Sequence, residues 1–347
     1  MNSEKILVLH TGGTIGSTHN PEKNHREVDV TNAKRILFEA FEKSTSKHAG
    51  SQELFEDLPL GFETLSENMT FDKLGKIIAK LKSVDLYEYA GVVVLHGTDT
   101  LAYTAALFSF VFYDIGVPMM LVSAKSPVTD EESNALDNFS AAVELILDGI
   151  APNIYVPYKN DDGEIYFHIA STLMQCQNYS NDFYNASGYQ VFYRDDEYIF
   201  EDCKNLSKKR SFKIIEFPRR LSAKKLKVIV PYVGIDYSEI SLDGISAVLH
   251  GSYHSGTLCV GGFNSSSALT LGSECMQKGI PMFIACCKNG EDKYSSTSDA
   301  VEMGGMIPLD MTFEAAYMKL VLAVNMGLAN EEIIKFMQTE INNEFIN

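Results

Sequence analysis

Two segments of this chain run a block of apolar residues straight into glycines and hydroxyls. They are Leu7-Val8-Leu9-His10-Thr11-Gly12-Gly13-Thr14-Ile15-Gly16 and Val92-Val93-Val94-Leu95-His96-Gly97-Thr98-Asp99-Thr100. An apolar run without polar alternation fits a strand covered on both faces, as in a parallel sheet. Ligands bind open sheets of that kind beyond the carboxyl ends of the strands. Thr14, Thr98 and Asp99 each fall just past such an end. Two hydroxyls and a carboxylate in that place point to nucleophilic chemistry rather than packing.

The rest of the chain supports the sheet. Residues 5–10 read as a first strand. Residues 18–29 are polar and aperiodic, which predicts a loop long enough to act as a lid. A helix is expected over 31–43 with Thr31 as N-cap. Phe71, Leu74, Ile77, Ile78 and Leu81 give the amphipathic spacing of a helix over 70–83, capped by Thr70. Strands at 91–96 and 119–122 alternate with helices at 101–115 and 131–148, so the sheet is parallel. The tyrosine-rich stretch 153–202, with turns such as Asn160-Asp161-Asp162-Gly163, predicts an antiparallel edge. A basic stretch from Lys204 to Lys227 marks an exposed connection.

Strands at 227–233, 247–249 and 282–285 and helices at 265–278, 312–326 and 330–338 then form a second α/β region. The expected organisation is an α/β protein of two domains. Residues 1–205 form a larger N-terminal domain with a mixed, mainly parallel sheet that carries the catalytic threonines. Residues 206–225 are a linker, and 226–347 form a smaller C-terminal parallel α/β domain.

A length of 347 residues suits two cores better than one. The formal charge of −17 argues against nucleic acid and anionic membranes, both of which need a positive footprint. Neither a basic leader nor a bilayer-length apolar run is present, so the expected location is the cytoplasm. The six cysteines lack metal-ligand spacing, and adjacent Cys286-Cys287 suit neither a CxxC site nor a mutual disulfide, so all are expected as reduced thiols.

Glycines at 12 and 13 allow a tight turn that brings the backbone close to a ligand. Thr14 beyond them is a candidate nucleophile that needs a neighbour to take its proton. A glycine turn capped by threonine, without chemistry, is the alternative. Asp99 is either the N-cap of the following helix or an ionised partner for a substrate ammonium, with Thr98 holding a water. Ser66 precedes the helix near Thr70, where exposed N–H groups suit a carboxylate. It also reads as a plain loop serine. His10 and His96 end apolar strands and are expected buried and hydrogen-bonded. His250 and His254 do not form a zinc site, because Gly251 and the strand context break a helical HxxxH. No GxSxG elbow is present.

Thr11-Gly12-Gly13-Thr14-Ile15-Gly16, the His96–Ala105 segment and the later Asp310-Met311-Thr312-Phe313-Glu314-Ala315 segment agree in order and spacing with one family. Together they resemble the bacterial-type L-asparaginase/glutaminase family, most closely its cytoplasmic type I branch, over nearly the whole chain. The resemblance implies a two-domain α/β fold and a homodimer or homotetramer whose neighbouring subunit closes each site. It implies hydrolysis of a small amino-acid amide, asparagine in the first instance, to the acid and ammonia without metal or organic cofactor. Thr14 matches the nucleophile and Thr98 the second catalytic threonine. Asp99 matches the carboxylate that holds the substrate amine, and Ser66 the serine that contacts its α-carboxylate. A backbone N–H near Thr98 would serve the oxyanion.

Three departures stand out. An ungapped alignment places Gln175, in Ala170-Ser171-Thr172-Leu173-Met174-Gln175, where the family carries a catalytic lysine. The lid has no tyrosine, and Asn24 or His25 falls near its place. Ser133-Asn134-Ala135 replaces an SDG or ADG run. A positioned acid or base contributes roughly 10²–10⁴-fold in rate. The lysine's absence therefore leaves a second reading, a catalytically impaired homologue that binds an amino acid without efficient turnover. Lys125 and His25 are the candidate replacement groups.

Overall fold

The computed structural model describes residues 5–20, 25–49, 54–186, 190–194, 197–200, 218, 220–287 and 294–346. The chain divides into two compact units, Met1–Lys209 and Arg210–Asn347. Most of the expected linker 206–225 lies outside the described residues.

In the first unit the strands are β1 (Ile6–His10), β2 (Ser17–Asn20), β3 (His25–Val28), β4 (Phe55–Asp57), β5 (Gly91–Leu95) and β6 (Met119–Val122). They continue with β7 (Ile154–Lys159), β8 (Ile165–Ile169), β9 (Leu173–Met174), β10 (Tyr184–Asn185), β11 (Gln190–Arg194) and β12 (Glu197–Phe200). Its helices are α1 (Val30–Glu42), α2 (Phe71–Leu81), α3 (Leu101–Val111) and α4 (Ala135–Leu147).

Eight strands form one sheet in the order β12-β11-β8-β7-β6-β5-β1-β4. The strands from β4 to β7 in that order are parallel, and β8, β11 and β12 add the antiparallel edge. The chain leaves β1 for β4 on one side and then returns to β5 on the other. The sheet therefore has its switch point between β1 and β5, where a crevice opens at the carboxyl ends. Both strands are buried along their whole length, as a two-sided parallel strand requires.

Helices α1 and α4 share one face, where Leu37 and Phe41 meet Phe139, Val143 and Ile146 over Val8, Val93 and Leu95. Phe38 stacks on Phe55 at 4.6 Å, and Phe41 meets Phe139 edge-on at 5.7 Å. Each buried phenylalanine contributes on the order of 1.5–3 kcal/mol. Thr70 caps α2 by accepting from Lys73 N. Helix α3 is buried nearly all round, which fixes the strand tip that precedes it.

Two local expectations change. The lid over 18–29 is not an aperiodic loop: Ser17–Asn20 pairs antiparallel with His25–Val28 as a ribbon. Its polar sequence hides that pairing, because the ladder needs only backbone groups. Asn24 lies outside the described residues, and His25 opens β3. The cap of α1 is Asp29, which accepts from Asn32 N, and Thr31 is already inside the helix.

The second unit holds β13 (Leu226–Ile229), β14 (Ala247–Gly251), β15 (Met282–Ala285) and β16 (Ile307–Pro308), all parallel and in that order. Its helices are α5 (Ala268–Lys278), α6 (Ser295–Glu302), α7 (Phe313–Asn325) and α8 (Asn330–Met337). Helix α6 and strand β16 were not expected from the sequence. Ser267 and Thr312 cap α5 and α7. A buried ion pair ties the last residues down: Lys319 Nζ lies 2.6 Å from Glu344 Oε1, with both side chains fully enclosed. The same ammonium donates to the carbonyls of Met337 and Thr339. Among the described residues no helix is long and apolar enough to cross a membrane.

Candidate active site

The tips of β1 and β5 are held together by their backbones. Thr11 N donates to Leu95 O at 2.9 Å, and Gly13 N donates to Thr64 O at 3.0 Å. Gly13 has φ of 76°, a left-handed value that favours glycine. A Cβ added to Gly13 would stand 2.3 Å from Gly97 Cα, and one added to Gly97 would stand 2.5 Å from Ser66 Oγ. Three chain segments thus meet with no room for a side chain between them. Thr14 and Thr98 are the next residues along two of those segments, and Ser66 belongs to the third.

Thr14 opens a 3-10 turn over Thr14–Gly16, and Thr98 opens another over Thr98–Thr100. Both threonines are half-buried. Among the described residues neither hydroxyl has a hydrogen-bond partner. The ribbon is pinned to the first turn, since Ser17 Oγ donates to Gly13 O at 2.8 Å.

Asp99 does not cap α3, whose N-cap position is Thr100 and has no side-chain cap bond. Its carboxylate instead accepts from Ser66 Oγ at 2.7 Å, while Asp99 N donates back to Ser66 Oγ at 3.2 Å. Thr100 Oγ1 donates to Ser66 O and closes the arrangement. Lys73 supports the same loop from α2, donating to Thr64 Oγ1 at 2.7 Å and Asn68 O at 2.8 Å. That clamp had no sequence signal beyond a lysine in the first turn of a helix.

The two strand-end histidines are buried and hydrogen-bonded, as expected. Gly12 N donates to His10 Nδ1. His96 Nδ1 faces Gly97 O at 2.7 Å, and its Nε2 faces the Thr104 hydroxyl at 3.0 Å. A carbonyl only accepts, so Nδ1 carries the proton and Nε2 accepts from Thr104. Burial lowers the pKa of His96 to about 4. Burial, reinforced by Lys34, lowers that of His10 to about 3. Both are neutral and only weakly basic at pH 7; they brace the turns.

A pocket of about 390 Å³ opens beside Thr98 and Asp99, lined also by Lys125, Tyr158, Gln175 and Cys176 and closed by residues 177–181. Thr14 and Ser66 are not part of its wall. Gln175 Nε2 donates to Thr98 O at 3.1 Å, so this amide touches the second threonine. Lys125 Nζ pairs with Asp161 Oδ1 at 2.9 Å. Burial holds the Cys176 thiol above its usual pKa, which disfavours its thiolate. Tyr158 and Asn181, which line it, and Asp161, which pairs with Lys125, were missed in the sequence. Among the described residues no cluster of histidine, cysteine and carboxylate suits a metal ion.

Fold and strand tips together define a class: a two-unit α/β protein with hydroxyl and carboxylate residues gathered at the switch point of a mainly parallel sheet. Residues 5–181 match the family model described as asparaginase, N-terminal. That is more than half of the chain, which therefore belongs to the asparaginase family of hydrolases. The L-asparaginase of Thermococcus kodakarensis is 26% identical over 345 residues, covering 98% of both chains. A glutamyl-tRNA(Gln) amidotransferase component of Pyrococcus abyssi is 26% identical across 98% of this chain and 76% of its own length. An L-asparaginase of Dirofilaria immitis is 28% identical over 176 residues, but the match spans only 29% of that protein. Among solved structures, L-asparaginase I of Vibrio cholerae superposes with a TM-score of 0.78 at 21% identity, covering 98% of each chain.

Proposed function

We propose that the protein hydrolyses L-asparagine or a related small amino-acid amide through Thr14. One observation supports this reading: the jammed contact of Gly13, Gly97 and Ser66, which brings together the turns that carry Thr14, Thr98 and Ser66. Thr14 Oγ1 attacks the side-chain carbonyl carbon. Backbone N–H near Thr98 stabilises the oxyanion. The C–N bond breaks, the nitrogen takes a proton and leaves as ammonia, and a Thr14 ester remains. A water held by Thr98 then cleaves the ester to give the acid. Asp99 binds the substrate ammonium. In doing so it releases the Ser66 hydroxyl, which turns to the α-carboxylate.

Ammonia release from asparagine and glutamine, measured on the wild-type chain and on Thr14→Ala, tests this. Loss of release in the variant is expected, and equal rates in both would defeat the reading. Cys176, Cys259, Cys275 and Cys286 are free thiols, which supports a reducing, cytoplasmic setting. Exposed Val230, Tyr232 and Val233 support self-association into a homodimer or homotetramer.

Gln175 favours a second reading. An amide beside Thr98 donates a hydrogen bond but does not relay a proton. The chain would then bind an amino acid without efficient turnover. Calorimetric binding of asparagine without ammonia release supports that reading, and a turnover sensitive to Thr14 excludes it.

A further inference from the structure

The pocket beside Thr98 is large enough for a whole small molecule. The pocket measures about 390 Å³. Cavities that hold whole small molecules begin at about 300 Å³.

Its lining is also rich in donors. Lys125 Nζ has three N–H bonds, and among the described residues Asp161 is its one partner. Asp161 is itself held in place, because its other oxygen accepts from Asn181 Nδ2 at 3.1 Å. Hydrogen bonds from Lys125 and Asn181 keep its carboxyl below the usual range. The Lys125 backbone is fixed as well, donating to Asn134 Oδ1 at 2.9 Å. Next to it stands Tyr158, 1% exposed, whose hydroxyl makes no hydrogen bond of good geometry among the described residues, although Asn134 lies near it. A buried hydroxyl left unmatched calls for an acceptor. The lining of the pocket thus includes a carboxylate, that of Asp99, and an ammonium with a phenol.

Resting on the hydrolase reading above, we infer that this pocket takes a leaving group that bears its own carboxylate. The substrate class is then secondary amides of the β-aspartyl-peptide type. The amino-acid head sits on Asp99 and Ser66, and the group on the amide nitrogen projects past Thr98. Its carboxylate accepts from Lys125 Nζ and Tyr158 Oη. The step balances as ordinary hydrolysis. The Thr14 ester forms as the C–N bond breaks, the nitrogen takes one proton and departs as a primary amine, and water cleaves the ester.

The test compares kcat/KM for asparagine, β-aspartylglycine and β-aspartylglycine amide in the wild-type chain, Lys125→Met and Tyr158→Phe. Lys125→Met is expected to lower the ratio of β-aspartylglycine to asparagine by about 10- to 100-fold, the worth of a charged hydrogen bond. Tyr158→Phe is expected to lower it by roughly 3- to 10-fold. The amidated dipeptide, lacking the carboxylate, is expected to be a poor substrate that neither change affects. Cleavage of asparagine but of neither dipeptide overturns the inference. So does an equal fall for asparagine and β-aspartylglycine in Lys125→Met, which would place Lys125 in the step common to both. Binding to Thr14→Ala separates the two readings. If no amide is cleaved but β-aspartylglycine binds in a Lys125-dependent way, the hydrolase reading fails and the ligand class stands.

Discussion

The two units carry the same strand ending with different outcomes. Leu95-His96-Gly97-Thr98 closes β5, and Leu249-His250-Gly251-Ser252 spans the end of β14. Each histidine is fully buried, with Nδ1 facing the carbonyl of the next glycine. Each Nε2 faces a hydroxyl, that of Thr104 in one case and of Tyr237 in the other. The surroundings then diverge. Gly97 is wedged against Gly13 and Ser66, whereas a Cβ on Gly251 would meet only the Phe313 ring at 3.4 Å and Pro231 at 3.5 Å, ordinary contact distances. Thr98 faces a pocket, but Ser252 Oγ donates to Cys286 O at 3.1 Å. A histidine-braced tip is therefore a structural device available to any parallel strand. It becomes a candidate site only where a second tip, here that of β1, arrives at backbone contact.

The largest expected contrast is in activity. Thr98→Ala should slow ammonia release by about 10²–10⁴-fold, while Ser252→Ala leaves it within about twofold. Equal losses would dissolve the distinction between the tips. Next comes packing. Gly97→Ala forces a methyl into Ser66 and is expected to destabilise by about 1–3 kcal/mol. The matched Gly251→Ala should cost less than about 1 kcal/mol, since it meets no short contact. Thermal unfolding of the two variants reads the difference directly.

A smaller effect should be shared by both tips. Burial lowers His96 and His250 to a pKa of about 4 in the fold. The unfolded chain protonates its histidines near pH 6.5. The unfolded state then binds more protons between those values, so stability is complete above about pH 6.5 and declines as the pH falls towards 4. Each histidine contributes a slope of at most about 1.4 kcal/mol per pH unit. Denaturant titrations of His96→Asn and His250→Asn at several pH values should show similar flattening. Unequal flattening would mean that the two braces are not equivalent. The smallest effect is the stability change in Ser252→Ala, expected within about 0.5 kcal/mol.

How much of this was legible depended on what each element uses to hold itself together. Strands β5 and β6 are wholly apolar, so burial wrote them into the sequence. Thr70 and the 71–81 periodicity placed α2 to within two residues of the expected end. The ribbon Ser17–Asn20 with His25–Val28 was invisible, because its ladder uses backbone groups and its side chains are nearly all polar. Asp29 and Thr31 both have cap chemistry, and composition did not choose between them. Helix α6 buries only Thr297 and Ala300, too few to make a period. At the site, Thr14, Thr98, Asp99 and Ser66 were singled out by type and spacing, and Gln175 by alignment. The contact of Asp99 with Ser66 in place of a cap was not foreseen. Nor was the Lys125–Asp161 wall, since its two charges come from separate loops and share no periodic pattern.

The enclosed Lys319–Glu344 pair bears on how this protein is handled at the bench. Glu344 accepts not only from Lys319 but also from the backbone of Ile341 and Asn342, so it closes the final turn from inside. Trimming the last four residues would leave the buried Lys319 ammonium with carbonyl partners but no counter-charge, a change worth about 3–5 kcal/mol. An affinity handle is therefore better fused ahead of Met1 than behind Asn347, and shortened versions should come out of expression as aggregates.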